Sequence, residues 1–291
     1  MEAGAASPRP DHQLLNHCAL RQVNREHHAL GDVFGLQRIH ALVHGLRSIG
    51  IAAEAHEREV CLHHPRLHVG DAHTRAREVR LQVLRELVHE GLKKLSHSTD
   101  YYIKLLYFAP GGFIQPDPAT SQLAIHIFES PMPDDSGFSA TFSEFLRPDP
   151  SMAPTDAKAS CLYPNTQRIL REARARGVDN AIVLDSKGKI AEFAVANLWI
   201  VRDGVVLTPE LNGTFLNGIT RRRVMQLLRD DGIEVREASL TPQDVLDADE
   251  VFSTGNYGKV LHCNRIDDRH YAHGPIETRA HELYMAYTKR N

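Results

Sequence analysis

The residues best suited to chemistry begin with Lys158, in the run Asp156-Ala-Lys158-Ala-Ser160-Cys-Leu-Tyr163 just ahead of a helical pattern. Its small and apolar neighbours predict a partly desolvated ammonium, which lowers a lysine's pKa and frees the amine to act as a Schiff-base nucleophile. Taken alone, the same neighbours also describe a solvated lysine beside a turn, the commoner case. Glu192 follows 34 positions on (192 − 158), inside Ile190-Ala-Glu-Phe-Ala-Val-Ala-Asn-Leu-Trp-Ile200. A carboxylate among apolar residues needs either a water-facing place on an alternating strand or a partner. In the second case it suits the protonated ring nitrogen of a cofactor. Two glycine turns add capacity for an anion. Gly213-Thr-Phe-Leu216-Asn-Gly218-Ile219-Thr220 runs into a helix N-terminus, where free N–H groups and the dipole favour negative charge, with Thr220 as the expected N-cap. Thr254-Gly255-Asn256-Tyr257-Gly258 offers backbone N–H groups and an amide between two strands. Either turn alone is ordinary.

These residues need a scaffold, and the hydrophobic periodicity predicts one in two parts. Residues 1–36 lack periodicity and read as a poorly ordered arm, and residues 37–130 as a small α+β domain. Within the latter, 40–59 reads as short strands broken by glycine. Leu81, Leu84, Val88, Leu92 and Leu95 mark one face of an amphipathic helix over 75–95, and strands are expected at 101–109 and 123–128. The Pro/Ser/Asp/Gly-rich stretch from Glu129 to Gly137 is the expected linker, and residues 136–291 form a larger β-rich domain with flanking helices. Its expected helices cover 165–176, stopped by Gly177, 221–230, stopped by Gly232, a short turn after Thr241-Pro242, and the segment from Pro275 onward. Its expected strands are 138–145, 181–184, one long strand over 190–201, then 205–207, 233–235, 250–254 and 259–261. The fold class is α/β in the broad sense, α+β in detail.

Composition narrows the functions. The 291 residues are 42% hydrophobic and 24% charged with net charge −3, which points to neither a nucleic-acid nor a membrane partner. The first eleven residues have no apolar core of signal-peptide type and no stretch has the length of a membrane span, so a cytoplasmic protein is expected. Cys18, Cys61, Cys161 and Cys263 form no paired motif. Of 18 histidines, 13 fall in the first 98 residues, with His40/His44 and His64/His68 spaced i,i+4. Such pairs can share a metal on a helix, but no zincin glutamate or nearby cysteine completes a ligand set, and no metal is expected.

Lys158, Tyr163, Glu192, Leu216-x-Gly218-Ile219-Thr220 and Gly255-Asn256, in this order and spacing, resemble the class IV (fold type IV) pyridoxal-phosphate aminotransferases, most of all those acting on branched-chain amino acids. The likeness covers about residues 99–290, and Phe215-Leu-Asn-Gly-Ile-Thr-Arg221 and Ala248-Asp-Glu-Val-Phe-Ser-Thr-Gly255 are close to the family's wording. It implies a two-domain fold with the cofactor between the domains, an internal aldimine on Lys158, Tyr163 on the phenolic oxygen and Glu192 on the pyridine nitrogen. Leu216 would pack on the ring, while Gly218, Ile219, Thr220 and Asn256 would serve the phosphate together with Arg66 of His63-His-Pro-Arg66-Leu67. Tyr102, Lys104, Gly255, Tyr257 and Gly258 would meet the substrate.

Two positions depart from the family. Val43-His44-Gly45 replaces its aromatic-acidic-glycine motif, and Lys104 stands where an arginine is common, a point charge in place of a bidentate fork. The resemblance implies transamination of leucine, isoleucine and valine with 2-oxoglutarate, by a homodimer. D-amino acid aminotransferase and aminodeoxychorismate lyase share the cofactor residues and are alternatives within the family. A pyridoxal-phosphate-binding protein impaired by a degenerate N-terminal half is an alternative of another class.

Overall fold

A computed structural model of the chain describes residues 52–56, 59–64, 81–96, 99–120 and 122–289. The chain divides into two compact units at Ser130/Pro131.

The first unit carries β1 (Ala52–His56), β2 (Glu59–His64), α1 (Leu81–Leu92), β3 (Tyr101–Phe108) and β4 (Gln122–Glu129). The strands make an antiparallel sheet in the order β1-β2-β4-β3. β2 was not expected from the sequence, and His64 closes it as a strand residue, while His68 lies outside the described residues. Leu87 and Leu95, with Leu84, Val88 and Leu92 beside them, pack on Leu123, Ile125 and Ile127 of β4. Each fully buried leucine of this kind stabilises by roughly 1.5–3 kcal/mol. Because side chains alternate along a strand, the register Ile103↔Ile127 and Leu105↔Ile125 puts these residues on the α1-facing side, and Tyr102 and Lys104 on the other. There Tyr102 stacks on Phe128 at 5.3 Å.

The second unit contains β5 (Phe138–Phe142), α2 (Tyr163–Ala175), β6 (Asn180–Leu184), β7 (Ile190–Phe193), β8 (Asn197–Arg202) and β9 (Val205–Pro209). These are followed by α3 (Ile219–Asp230), β10 (Val235–Ala238), α4 (Pro242–Leu246), β11 (Glu250–Gly255), β12 (Lys259–Ile266), β13 (Arg269–His270) and α5 (Pro275–Thr288). Nine strands form one mixed sheet in the order β10-β9-β8-β11-β12-β5-β6-β7, with β13 paired to β12. α2 starts earlier than expected because Pro164 sits in its first turn, where its missing N–H costs nothing, and it stops at Gly177 with φ of 74°. Val224, Met225 and Leu228 of α3 pack against Trp199, Val201, Val206 and Phe252 of the sheet.

Three expectations need correction where the site is built. The single strand over 190–201 is broken between Phe193 and Asn197 into β7 and β8. The N-cap of α3 is Gly218, and Thr220 lies inside the first turn, buried. β12 runs on to Ile266, well past the expected Leu261, because Cys263 and Ile266 are buried core residues that pair with β5.

Candidate active site

The break between β7 and β8 places Glu192 and Asn197 side by side. All four residues of β7 are buried, so Glu192 has no water-facing side on which to keep its charge. Burial pushes its carboxyl up to about 7, against the opposing pull of Arg147 first and Lys158 second. Arg147, in the loop after β5, is itself 7% exposed and brings Nη2 to 3.4 Å from Glu192 Oε1. Its Nε donates to the carbonyl of Thr214 at 3.0 Å. Asn197 Nδ2 donates to the carbonyl of Leu216 at 2.9 Å and lies 3.4 Å from Glu192 Oε2.

The glycine turn ahead of α3 is held from below by buried side chains. Thr155 Oγ1 donates to the carbonyl of Gly213 at 2.5 Å, Arg147 holds Thr214, and Asn197 holds Leu216. Asn212 accepts from the Thr214 hydroxyl at 2.6 Å and donates to Asp185 at 2.9 Å. The carbonyls of Gly213, Thr214 and Leu216 are thereby engaged within the fold, and the first turn of α3 carries the N–H groups that a helix leaves without an intrahelical acceptor. Gly218 is required by close approach, since a Cβ there would stand 2.3 Å from Asn197 Oδ1. Ile219 is 78% exposed and Thr220 is buried. Arg221, fully buried, spends its guanidinium on Asn217, Pro209 and Glu237.

Asn197 also ties in the second glycine turn. It pairs with Thr254 in the β8–β11 register, and a Cβ on Gly255 would make ordinary contact, at 3.5 Å, with Ala196. Beyond Gly255 the β11–β12 hairpin turns with Asn256 and Tyr257 exposed. Lys259 Nζ donates to Asn256 Oδ1 at 3.1 Å, so that amide keeps its own N–H groups for a ligand.

Lys158 corrects one expectation. Its side chain is exposed, because Asp156–Lys158 forms the outward corner of a turn whose buried anchor is Thr155. The small neighbours reflect that tight turn and do not wrap the amine. Its charge nevertheless acts on Glu192, which places the amine within electrostatic reach of the buried carboxylate. Tyr163 opens α2, half-buried. The structure thus joins Glu192, Leu216, Gly218 and Gly255 around Asn197, with Lys158 in reach of the carboxylate. Tyr102 and Lys104 share a face of the first unit's sheet, and Arg66 lies outside the described residues. Sequence reasoning missed Arg147, Asn197 and Thr155. The signal for a cation was the apolar setting of Glu192, but nothing marked which of the chain's arginines would answer it.

Among the described residues, His262, His273 and Glu277 come close enough to share a cation, with ligand atoms within 4.8 Å of one another. The two imidazoles stack at 4.1 Å with 28° between planes, whereas a shared ion must lie in the plane of both rings. His273 meets Glu277 and the carbonyl of Asp135 through its two nitrogens. The cluster is a structural tie between α5 and the segment ahead of β5. No helix among the described residues is long and apolar enough to cross a membrane.

The family profile described as amino-transferase class IV matches residues 71–266. A branched-chain-amino-acid aminotransferase of Pseudomonas aeruginosa is 34% identical over 152 residues, 51% of this chain and 49% of that protein. The chain therefore spans about half the length of that relative. A probable branched-chain-amino-acid aminotransferase of Aquifex aeolicus is 32% identical over 208 residues, 69% of this chain and 67% of that protein. An aminotransferase from Brucella abortus, solved bound to the cofactor PLP, superposes with a TM-score of 0.70 at 42% identity, covering 74% of this chain and 78% of that one.

Proposed function

The chain belongs to the class IV aminotransferases, and from that premise we propose that it binds pyridoxal phosphate and transaminates branched-chain L-amino acids, with 2-oxoglutarate as acceptor. The observation that carries the reading is Glu192: a buried carboxylate held by Arg147, close to Asn197 and in electrostatic reach of Lys158. A structural ion pair would need no amine in reach and no helix N-terminus linked through the same asparagine. The residues present fit the cofactor, with an acid for a protonated ring nitrogen, a lysine for the aldehyde, and N–H groups at the start of α3 for the phosphate. When bound, pyridoxal phosphate supplies an electron sink for the bonds of the substrate's α-carbon.

The protein's own residues do the rest. Glu192 holds the ring-nitrogen proton through a charge-assisted hydrogen bond. Lys158 would move the proton between the substrate's α-carbon and the cofactor's C4′ carbon, a task suited to an exposed amine. Tyr163 donates to the cofactor's phenolic oxygen, and Leu216 packs on the ring. Gly218 permits the close approach that aims Ile219 and Thr220 N–H groups at phosphate, with Arg66 and Asn256 as further donors. Gly255, Tyr257 and Gly258 border the substrate carboxylate, and Tyr102 and Lys104, together on one face of the first unit's sheet, are the remaining candidates for substrate contact. The reading carries with it a cytoplasmic homodimer, checked by a light-scattering mass of two chains.

The test mixes the purified full chain with pyridoxal phosphate and then adds L-leucine or L-valine, with D-alanine and aminodeoxychorismate as separate arms. The expected outcome is a lysine-bound cofactor band that converts to the pyridoxamine spectrum with the branched-chain substrates and returns on adding 2-oxoglutarate. Conversion only with D-alanine, or release of pyruvate from aminodeoxychorismate without conversion of the band, would replace the substrate, and no cofactor band at all would overturn the reading.

A further inference from the structure

One guanidinium reaches two parts of the site. Arg147 Nη2 faces Glu192 Oε1 at 3.4 Å, while its Nε donates to the carbonyl of Thr214, four residues before the N-cap of α3. We propose that Arg147 is a positioning residue that favours the ionised form of Glu192, engages its Oε1 so that Oε2 is the oxygen presented to a cofactor's ring nitrogen, and fixes the turn that aims α3 at phosphate. The last two parts rest on the function proposed above.

A carboxylate as enclosed as Glu192 takes up a proton unless a cation stands beside it. Protonated, it becomes a hydrogen-bond donor on one oxygen and can no longer balance the charge of a ring N–H. Two cations act on it, Arg147 and Lys158. Lys158 is the amine that the proposed reaction uses, so its charge changes through the cycle. An arginine keeps its charge at any pH the protein meets, so Arg147 is the constant counter-charge. The geometry also selects the oxygen. Each oxygen has a partner at 3.4 Å, the Arg147 guanidinium on Oε1 and the Asn197 amide on Oε2, and that amide makes its shorter bond, 2.9 Å, to the carbonyl of Leu216. A neutral amide at that range holds a carboxylate oxygen less firmly than a guanidinium does, so Oε2 is the more weakly held oxygen.

The experiment compares melting of the cofactor-free full chain for wild type, Arg147→Met, Glu192→Gln and the double variant between pH 5.5 and 8.5. Arg147→Met should show at pH 5.5, where Glu192 is protonated in both, only the deficit from its lost bond to Thr214, and fall behind by roughly a further 5 °C or more at pH 8.5. Adding Glu192→Gln should erase that pH-dependent part. A deficit equal at both pH values that survives Glu192→Gln would make Arg147 merely structural and overturn the proposal. A second readout is pyridoxal-phosphate affinity at pH 8, expected to weaken at least about tenfold in Arg147→Met; unchanged affinity would overturn the part concerning Oε2. Failure of the wild type to bind the cofactor would overturn the proposed function, whereas the melting series decides the charge of Glu192 without any cofactor.

Discussion

Around Glu192 the polar side chains are buried and tied to one another, whereas Lys158, Ile219, Asn256 and Tyr257 stand in solvent on turns and at a helix start. The first region is arranged before any ligand arrives: Arg147, Asn197 and Thr155 each fix a backbone carbonyl of the turn between Asn212 and Gly218. The second offers groups that do little for the folded chain. Fixing dipoles in advance spares reorganisation when a charge must be met, and its cost is a buried carboxylate held against its preference for water. Changes in the exposed region should therefore act on chemistry and leave stability alone, and changes in the buried region should act on both.

The largest effect belongs to Lys158. Lys158→Ala should remove the lysine-bound cofactor band and lower turnover by roughly a thousandfold or more, since the proposed nucleophile and the proposed acid–base group are lost together. Its melting should stay within about 0.5 kcal/mol of wild type, as for other exposed positions. A large loss of stability in that variant would break the division between the two regions.

Next comes the pH dependence of the cofactor-free protein. Glu192 titrates at about 7 in the folded chain against 4.5 for the free group, so between those values the folded state holds a proton that the unfolded state has lost. Its contribution is full below about 4.5 and is lost as pH rises through about 7, on the order of 3 kcal/mol in all. Glu192→Gln should flatten that decline in chemical denaturation at pH 5 and pH 8, and a slope unchanged by the substitution would show that Glu192 is not its source.

The same contrast explains what could be read in the sequence. Lys158, the two glycine turns and most elements of the second unit follow from local signals: helical spacing in α3, the Thr241–Asp244 capping box of α4, glycine stops at Gly177 and Gly232. The tie of Glu192 to Arg147 joins residues 45 positions apart (192 − 147), and that of Arg147 to Thr214 joins residues 67 apart. No periodicity records such pairings, because they arise only when the sheet order sets the loop after β5 beside β7. The break of 190–201 was hidden for a similar reason. Ala194, Val195 and Ala196 read as strand, yet the chain bends there and Val195 is 61% exposed, so tertiary placement overrides local preference. In the first unit the apolar run Ile103, Leu105, Tyr107 was legible as strand, while β2, rich in histidine and charge, was not.

Gly218 lies on the seam between the regions, and Gly218→Ala tests whether they are mechanically joined. Its φ of −57° suits any residue, so the change carries no backbone penalty. What it meets is Asn197 Oδ1 at 2.3 Å, on a side chain already held by the carbonyl of Leu216. Displacing it should cost about 1–3 kcal/mol in denaturation and weaken cofactor binding with it. Lost binding at unchanged stability would instead place Gly218 wholly with the exposed region.

The smallest effect tests the exposed region at its edge. Asn256 sits at the tip of the β11–β12 hairpin with Oδ1 taken by Lys259, so only its amide N–H groups remain to meet a ligand. Asn256→Ala removes at most one hydrogen bond to phosphate, a net contribution of about 0.5–1.5 kcal/mol, which converts to a few-fold to roughly tenfold loss of pyridoxal-phosphate affinity. Asn256→Asp keeps the acceptor for Lys259 but sets a carboxylate against the phosphate, and should weaken binding more than alanine does. Titration of both variants against wild type by cofactor absorbance separates the cases. If aspartate binds as well as alanine, the phosphate does not lie at this hairpin, and the anion site belongs to α3 alone.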